Sequence, residues 1–205
     1  MARKTRKRAT LASLVVALTG WLLWQFTPAQ AVFAIANLSD PGKLATLGER
    51  GANPRLNKIV YWLNDATRKG MAPERTIKFS QLFNGTDEPR AGLVQESLLR
   101  NLKIADELGL LTEENLDRLR RGQTAVVTKG PYVKENVEID HIVPISLAPE
   151  LGNELANLEM LPAGLNRRKS NRVGERQLAT ARRFNSVGLL SRESLARVEA
   201  QRAGK

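Results

Sequence analysis

Hydrophobic positions recur with helical spacing from residue 53 to residue 121. Apolar side chains stand three or four residues apart there, which is typical of helices that bury one face against a core. The pattern predicts helices over residues 53–68, 90–108 and 113–121, and Thr112 can cap the third. The apolar positions that define these faces include Leu56, Ile59, Val60, Leu63, Val94, Leu98, Leu102 and Ala105. This part of the chain is therefore expected to be a helical scaffold.

From residue 124 the pattern changes to that of a small sheet followed by helices. Stretches rich in β-branched residues flank the turn signal Gly130-Pro131, which predicts a hairpin. A further short strand is expected next, and a proline then opens a helix. The expected order is a strand at 125–127, a strand at 137–145, a strand at 158–161, a helix from Pro162 towards Arg172 and Gly174, a basic helix over 175–184 and a last helix capped by Ser191. The fold class is therefore α+β, with a strand–strand–helix unit flanked by helices.

The first 31 residues have the layout of an export signal. Five cations within residues 3–8 precede a mostly apolar run, Leu11–Phe26, and Ala29-Gln30-Ala31 puts small residues where a signal peptidase reads. Cleavage after Ala31 is expected, with a secreted or periplasmic mature chain. The alternative is an uncleaved membrane anchor over 11–29, which approaches the length that spans a bilayer. In both cases the cationic flank stays cytoplasmic and the rest of the chain crosses the membrane.

Composition narrows the classes of partner and metal. The 205 residues contain 32 Lys and Arg against 21 Asp and Glu, a net charge of +11, so a polyanion is the expected partner, and both nucleic acid and an anionic membrane qualify. There is no cysteine, which excludes disulfides and thiolate metal sites. Any metal must use oxygen or imidazole ligands.

The expected organisation is an export segment at 1–31, a glycine- and proline-containing linker at 32–52, a helical scaffold at 53–123, the strand–strand–helix unit at 124–174 and basic helices at 175–205.

The chain has one histidine, and it stands among other residues suited to chemistry. Asp140-His141 stands within the second expected strand, Asn157 follows sixteen residues later, and Asn166 and Lys169 are three apart on the next expected helix. From about residue 130 to residue 176 this arrangement resembles the HNH (ββα-metal) nuclease family, in the variant that has Asn at the third motif position. The resemblance implies a divalent-metal endonuclease that hydrolyses phosphodiester bonds, with Asp140 and Asn166 as metal ligands.

Elementary chemistry agrees with that implication. A neutral imidazole has a suitable pKa to take a proton from water near pH 7, and His141 is the only imidazole available. A hard cation such as Mg²⁺ suits the oxygens of Asp140 and Asn166. Lys169 shares a helix face with Asn166, so it can offer a cation to phosphate. As the resemblance implies, Asn157 hydrogen-bonds the loop backbone and orients His141, although Asn153 offers a second amide nearby.

A run of arginines follows the motif and predicts a surface that contacts phosphate. The arginines assigned to nucleic-acid binding are Arg167, Arg168, Arg172 and Arg176, with Arg182 and Arg183 further along. The alternative for Lys169 and this run is a solvated helix face, the usual meaning of such a run.

The sequence thus predicts an exported, Mg²⁺-dependent endonuclease that acts on nucleic acid, with DNA expected rather than RNA. The alternative from another class is a non-catalytic nucleic-acid-binding module that keeps the ββα shape. A third possibility retains the chemistry in a membrane-anchored nuclease.

Overall fold

Residue 20 and residues 27–204 are described by the computed structural model, so most of the expected export segment lies outside the described residues. Within them the chain is helix-rich with one two-stranded antiparallel sheet, which confirms the α+β class at that level. No described helix is long and apolar enough to cross a bilayer. The elements are α1 (Ala29–Leu38), α2 (Pro41–Ala45), α3 (Asn53–Arg68), α4 (Pro73–Asn84), α5 (Arg90–Glu107), α6 (Glu113–Arg120), β1 (Val137–His141), β2 (Leu158–Pro162), α7 (Ala163–Lys169), α8 (Glu175–Ser186) and α9 (Arg192–Ala203).

The segment 32–52 contains most of α1 and all of α2, so the expectation of a linker there is wrong. α1 buries Val32 and Ile35 in the core of the domain. Asp40 caps α2 by accepting a hydrogen bond from a first-turn amide at 3.1 Å. Proline usually indicates a loop, but Pro41 stands in the first turn of α2, where it interrupts no helical hydrogen bond.

The central helix of the scaffold is α3. The four apolar positions predicted for its inner face, from Leu56 to Leu63, are all 0% exposed. α1, α4, α5 and α6 pack against it. The predicted helices α5 and α6 are confirmed, and Thr112 caps α6 as expected. α4, which the apolar pattern does not predict, fills the stretch between α3 and α5.

β1 and β2 pair antiparallel, with Asp140 opposite Glu159 and His141 opposite Leu158. The expected strand at 125–127 is reduced to a single bridge between Val126 and Asn136. The chain then enters α7 directly from β2, so the predicted order of strand, loop, strand and helix is present.

β1 and α7 are both shorter than predicted. β1 ends at His141 instead of residue 145 because the backbone N–H and C=O of Val143 bond the Asn157 side chain and not a strand. α7 ends at Lys169 and does not reach Gly174, since Ser170 has a φ of +50°, a conformation that does not continue a right-handed helix. Arg172 therefore lies in a loop after α7 and not on the helix.

The C-terminal helices support the loop between β1 and β2. α8 packs against α9, and Ser191 caps α9 by accepting from an amide at 3.1 Å. Phe184 of α8 and Val198 of α9 belong to the same core cluster as Val143. The loop after His141 is thus held from the side of the C-terminal helices.

Candidate active site

The last two residues of β1 are Asp140 and His141, and the sheet presents them to opposite sides. Successive side chains of a strand alternate between its faces. α7 packs on β1, and its residue Lys169 reaches the Asp140 carboxylate. The His141 ring points instead towards the loop that connects the two strands, where Gly152 lies.

The His141 ring is held in a defined orientation. It is 5% exposed, and its Nε2 lies 2.9 Å from the Gly152 carbonyl oxygen. A carbonyl can only accept, so Nε2 carries a proton and Nδ1 of the neutral ring keeps its lone pair. Burial lowers the pKa of His141 below 6.5, while the Gly152 hydrogen bond and the Asp140 carboxylate act in the opposite direction. At neutral pH the ring is therefore in the form that accepts a proton at Nδ1.

Asn157 braces the chain that follows His141. Its side chain is 0% exposed and makes two hydrogen bonds to one residue, accepting the Val143 N–H at 2.8 Å and donating to the Val143 carbonyl at 3.0 Å. The backbone carbonyl of Asn157 accepts the Ile142 N–H at 2.8 Å. These bonds to the loop backbone are those that the resemblance implied for Asn157.

Asn153, the second amide near the motif, bonds a different part of the chain. It donates to the carbonyls of Leu47 and Gly48 at 3.1 and 3.0 Å, and it accepts the Ala52 N–H at 3.0 Å. The loop that carries Gly152 is therefore tied to the segment that leads into α3. Asn153 does not brace the backbone next to His141.

Lys169 pairs with Asp140 in this structure. Its ammonium donates to Asp140 Oδ2 at 2.5 Å and to the His141 carbonyl at 2.8 Å. Both side chains of the pair are less than one-fifth exposed, at 16% and 18%. The ammonium fixes the end of β1 to α7, so it is engaged with the protein and not directed freely at solvent.

Asn166 contacts a carboxylate that the sequence motif does not include. Its amide donates to Glu138 Oε2 at 2.7 Å, which leaves the amide oxygen, Oδ1, available to another ligand. Glu138 precedes Asp140 by two residues on β1, so both carboxylates lie on the face covered by α7. The alternation of acids along this strand is the signal that could have identified Glu138.

The oxygen atoms on this face form the candidate metal-binding set. Within residue 20 and residues 27–204, no group of three or more His, Cys, Asp or Glu side chains is placed to hold a metal ion. The donors present are the carboxylates of Asp140 and Glu138 and the amide oxygen of Asn166. This hard-donor set fits Mg²⁺, which keeps several waters and needs few protein ligands. It does not fit a metal that prefers sulfur or several imidazoles.

A cleft of about 280 Å³ opens beside Asn166 and Glu138. Its opposite side is formed by the start of α3 and the residues just before it, including Arg50, Asn53 and Asn57. The scaffold therefore contributes directly to the surroundings of the candidate site. This contribution depends on packing between distant parts of the chain, so the motif alone could not reveal it.

Arg50 brings a cation into the cleft. Its charge is close enough to the His141 ring to lower the pKa of that ring. Arg50 has a φ of +59°, which is uncommon for a residue other than glycine. Its ion pair with Glu49 is loose, at 3.6 Å between two exposed side chains. The guanidinium is thus available to an anion that enters the cleft.

The predicted phosphate-binding arginines are not equivalent in the structure. Arg167 and Arg172 are exposed, and the Arg168 guanidinium lies 5.6 Å from the centre of the Tyr132 ring. Arg176 forms a two-pronged ion pair with the buried Glu159, and this hydrogen bonding raises the pKa of Arg176. Further along, Arg182 pairs with Glu199 and Arg183 with Glu96. The later part of the basic run therefore pairs with acids of the protein.

The fold brings five of the predicted site residues to one end of the sheet. They are Asp140, His141, Asn157, Asn166 and Lys169. Arg50 and Glu138 join them without having been predicted. Comparisons with protein-family models, curated proteins and solved structures found no match to this chain.

Proposed function

We propose that this protein is an exported, metal-dependent endonuclease of the HNH type that hydrolyses phosphodiester bonds, with DNA as the main substrate. The observation that carries the proposal is the orientation of His141, whose Nε2 is bonded to the Gly152 carbonyl so that Nδ1 can accept a proton. A sequence motif cannot supply that orientation. The net charge of +11 supports a polyanionic substrate.

In the proposed reaction, His141 takes a proton from water at Nδ1 as the water oxygen attacks phosphorus. The new bond joins that oxygen to phosphorus, and the bond from phosphorus to the 3′ oxygen breaks. The leaving 3′ oxygen takes a proton from solvent, and the other product carries a 5′-phosphate. Base catalysis of this kind contributes about 10²- to 10⁴-fold in rate.

Asp140 and Asn166 would hold the divalent cation, with Glu138 as a third oxygen donor on the same face. When bound, such an ion polarises the scissile phosphate and stabilises the charge that develops on it. Lys169 positions Asp140 from the side of α7. We therefore assign Lys169 a positioning role, in place of the direct phosphate contact expected from the sequence.

The experiment that tests the function is cleavage of supercoiled plasmid by the full chain, with Mg²⁺ and with EDTA. Nicking and linearisation are expected with Mg²⁺ only. Asp140→Asn should lower the rate by at least about 10²-fold, because loss of the carboxylate charge removes several kcal/mol of metal-assisted stabilisation. The matched control is Asp106→Asn, which makes the same change at an exposed position of α5 and should leave cleavage unaltered.

A folded protein that shifts the plasmid in a gel but cuts neither DNA nor RNA with any divalent ion would eliminate catalysis. The hypothesis of a non-catalytic nucleic-acid-binding module would then be the better one. If the protein cleaved RNA and not DNA, the proposed reaction would stand and the substrate would be RNA.

Arg50 provides a second test of the same site. If its guanidinium contacts a phosphate next to the scissile one, Arg50→Ala should raise KM by about 10- to 100-fold, the value of a lost hydrogen bond to a charged group. The slope of log KM against log salt concentration should also decrease by about one, because one phosphate contact is lost. Arg192→Ala removes the same charge from an exposed position of α9 and serves as the control. Equal effects of the two variants would show that only net charge matters.

A further inference from the structure

A group of large apolar side chains is exposed on α1 and α4. This apolar patch consists of Phe33, Phe79, Leu82 and Phe83, which are 44% to 70% exposed. The rings of Phe33 and Phe83 lie 4.7 Å apart, so the two helices form one surface. Phe79, Leu82 and Phe83 are three and four residues apart and therefore share a side of α4. Contiguous exposed groups of this kind mark interaction surfaces.

The orientation of α4 is set by polar contacts on its inner face. Ser80 is 0% exposed and donates to the Val32 carbonyl at 2.9 Å, and Gln81 donates to the Ala91 carbonyl at 2.8 Å. Besides Ile77, the helix thus buries hydroxyl and amide groups, and it presents its phenylalanines to the outside. That arrangement forgoes the hydrophobic stabilisation of burying the rings, which is expected when another apolar phase covers them.

Two cations border the apolar patch. Arg75 and Lys78 are exposed, and each precedes a patch residue on the same side of α4 by four positions. The acid on this helix is Glu74, which lies in its first turn. Aromatic and leucine side chains beside exposed cations are the composition of surfaces that lie in the interface of an anionic membrane.

The patch also lies close in the chain to the apolar run Leu11–Phe26. α1 begins at Ala29, only three residues after the end of that run. Ala31 is 0% exposed within α1, so the folded domain starts before the expected cleavage point. Cleavage after Ala31 would remove the first turn of α1 together with this buried residue. Phe33 follows Phe26 by seven residues, so the patch is tied to the place where the run would leave a bilayer.

We propose that the run Leu11–Phe26 is retained as an anchor and that the apolar patch rests on the membrane surface, with Arg75 and Lys78 at anionic headgroups. The partner is thus a lipid surface, and this inference does not depend on the nuclease chemistry. It selects the anchored form over release of the chain.

The test uses the absence of cysteine from the chain, which allows a single label. Full-length Leu82→Cys carries an environment-sensitive fluorophore and is reconstituted in vesicles that contain phosphatidylglycerol and nitroxide-labelled lipid. Blue-shifted emission and several-fold quenching by the nitroxide are expected. Ala179→Cys, an exposed position on α8, is the matched control and should show neither. Arg75→Glu combined with Lys78→Glu should reduce the quenching at position 82.

Two results would overturn the inference. If the nitroxide did not quench the emission at position 82, lipid would not cover the patch, whether or not the emission was blue-shifted. A blue shift without quenching would indicate that a second copy or a protein partner covers it instead. A mature chain whose mass corresponds to a start at Val32 would show that the anchor is removed.

Discussion

Replacing His141 with alanine is expected to lower the rate of plasmid cleavage by about 10²- to 10⁴-fold, because the site then lacks the group that takes a proton from water. No other histidine exists in the chain to substitute for it. The loss should appear in kcat, since His141 acts on the attacking water and not on substrate affinity. The measurement is single-turnover cleavage of plasmid in saturating Mg²⁺.

A second variant separates the base from the structural contact that the ring makes. His141→Gln places an amide N–H where it can donate to the Gly152 carbonyl, but an amide cannot act as a base near neutral pH. This variant should unfold close to the wild-type temperature and still be inactive. If both variants cleaved plasmid at the wild-type rate, another group would have to act as the base. If only His141→Gln cleaved at that rate, the role of His141 would be structural.

Asn157→Ala is expected to have the largest effect on stability among the site residues. The substitution leaves the N–H and C=O of Val143 buried without their side-chain partners, and each such loss costs about 1–3 kcal/mol. The free energy of unfolding should therefore fall by about 2–6 kcal/mol, which in a domain of this size corresponds to a decrease in Tm of roughly 4–24 °C. Cleavage should also fall at temperatures where the variant remains folded, because the loop after His141 loses its brace.

Asn153→Ala is the comparison for that experiment, because Asn153 bonds the segment leading into α3 and not Val143. It should lower Tm by less and keep most of the cleavage rate. If instead Asn153→Ala abolished cleavage while Asn157→Ala did not, the orienting role would belong to Asn153. Thermal unfolding followed by circular dichroism and plasmid cleavage on the same samples gives both quantities.

The scaffold helices show how far local patterning reaches. α3 and α5 bury apolar residues at regular spacing, and α6 has both a cap and a glycine at its end, so each could be predicted from its own residues. α4 could not, because its inner face is largely polar and its large apolar residues point outward. α1 was hidden for another reason: its composition continues that of the apolar run before it.

The candidate site divides in the same way. Asp140, His141, Asn157 and Asn166 are close enough in the chain, and regular enough in spacing, for a motif to indicate them. Arg50 belongs to a different part of the chain and meets the site only because the start of α3 lines the same cleft as Glu138 and Asn166. The pairing of Arg176 with Glu159 likewise joins two separate elements, α8 and β2, and it removes one expected phosphate contact.

Periodicity along the chain was therefore sufficient for helices α3, α5 and α6 and for the order of strand, strand and helix, because these follow from interactions between near neighbours. Patterns along the chain could not predict the tautomer of His141, the pairing of Lys169 with Asp140 or the availability of each arginine to phosphate. Each depends on a polar partner supplied by a separate element, and sequence alone does not specify which charges and carbonyls the fold brings within hydrogen-bonding distance.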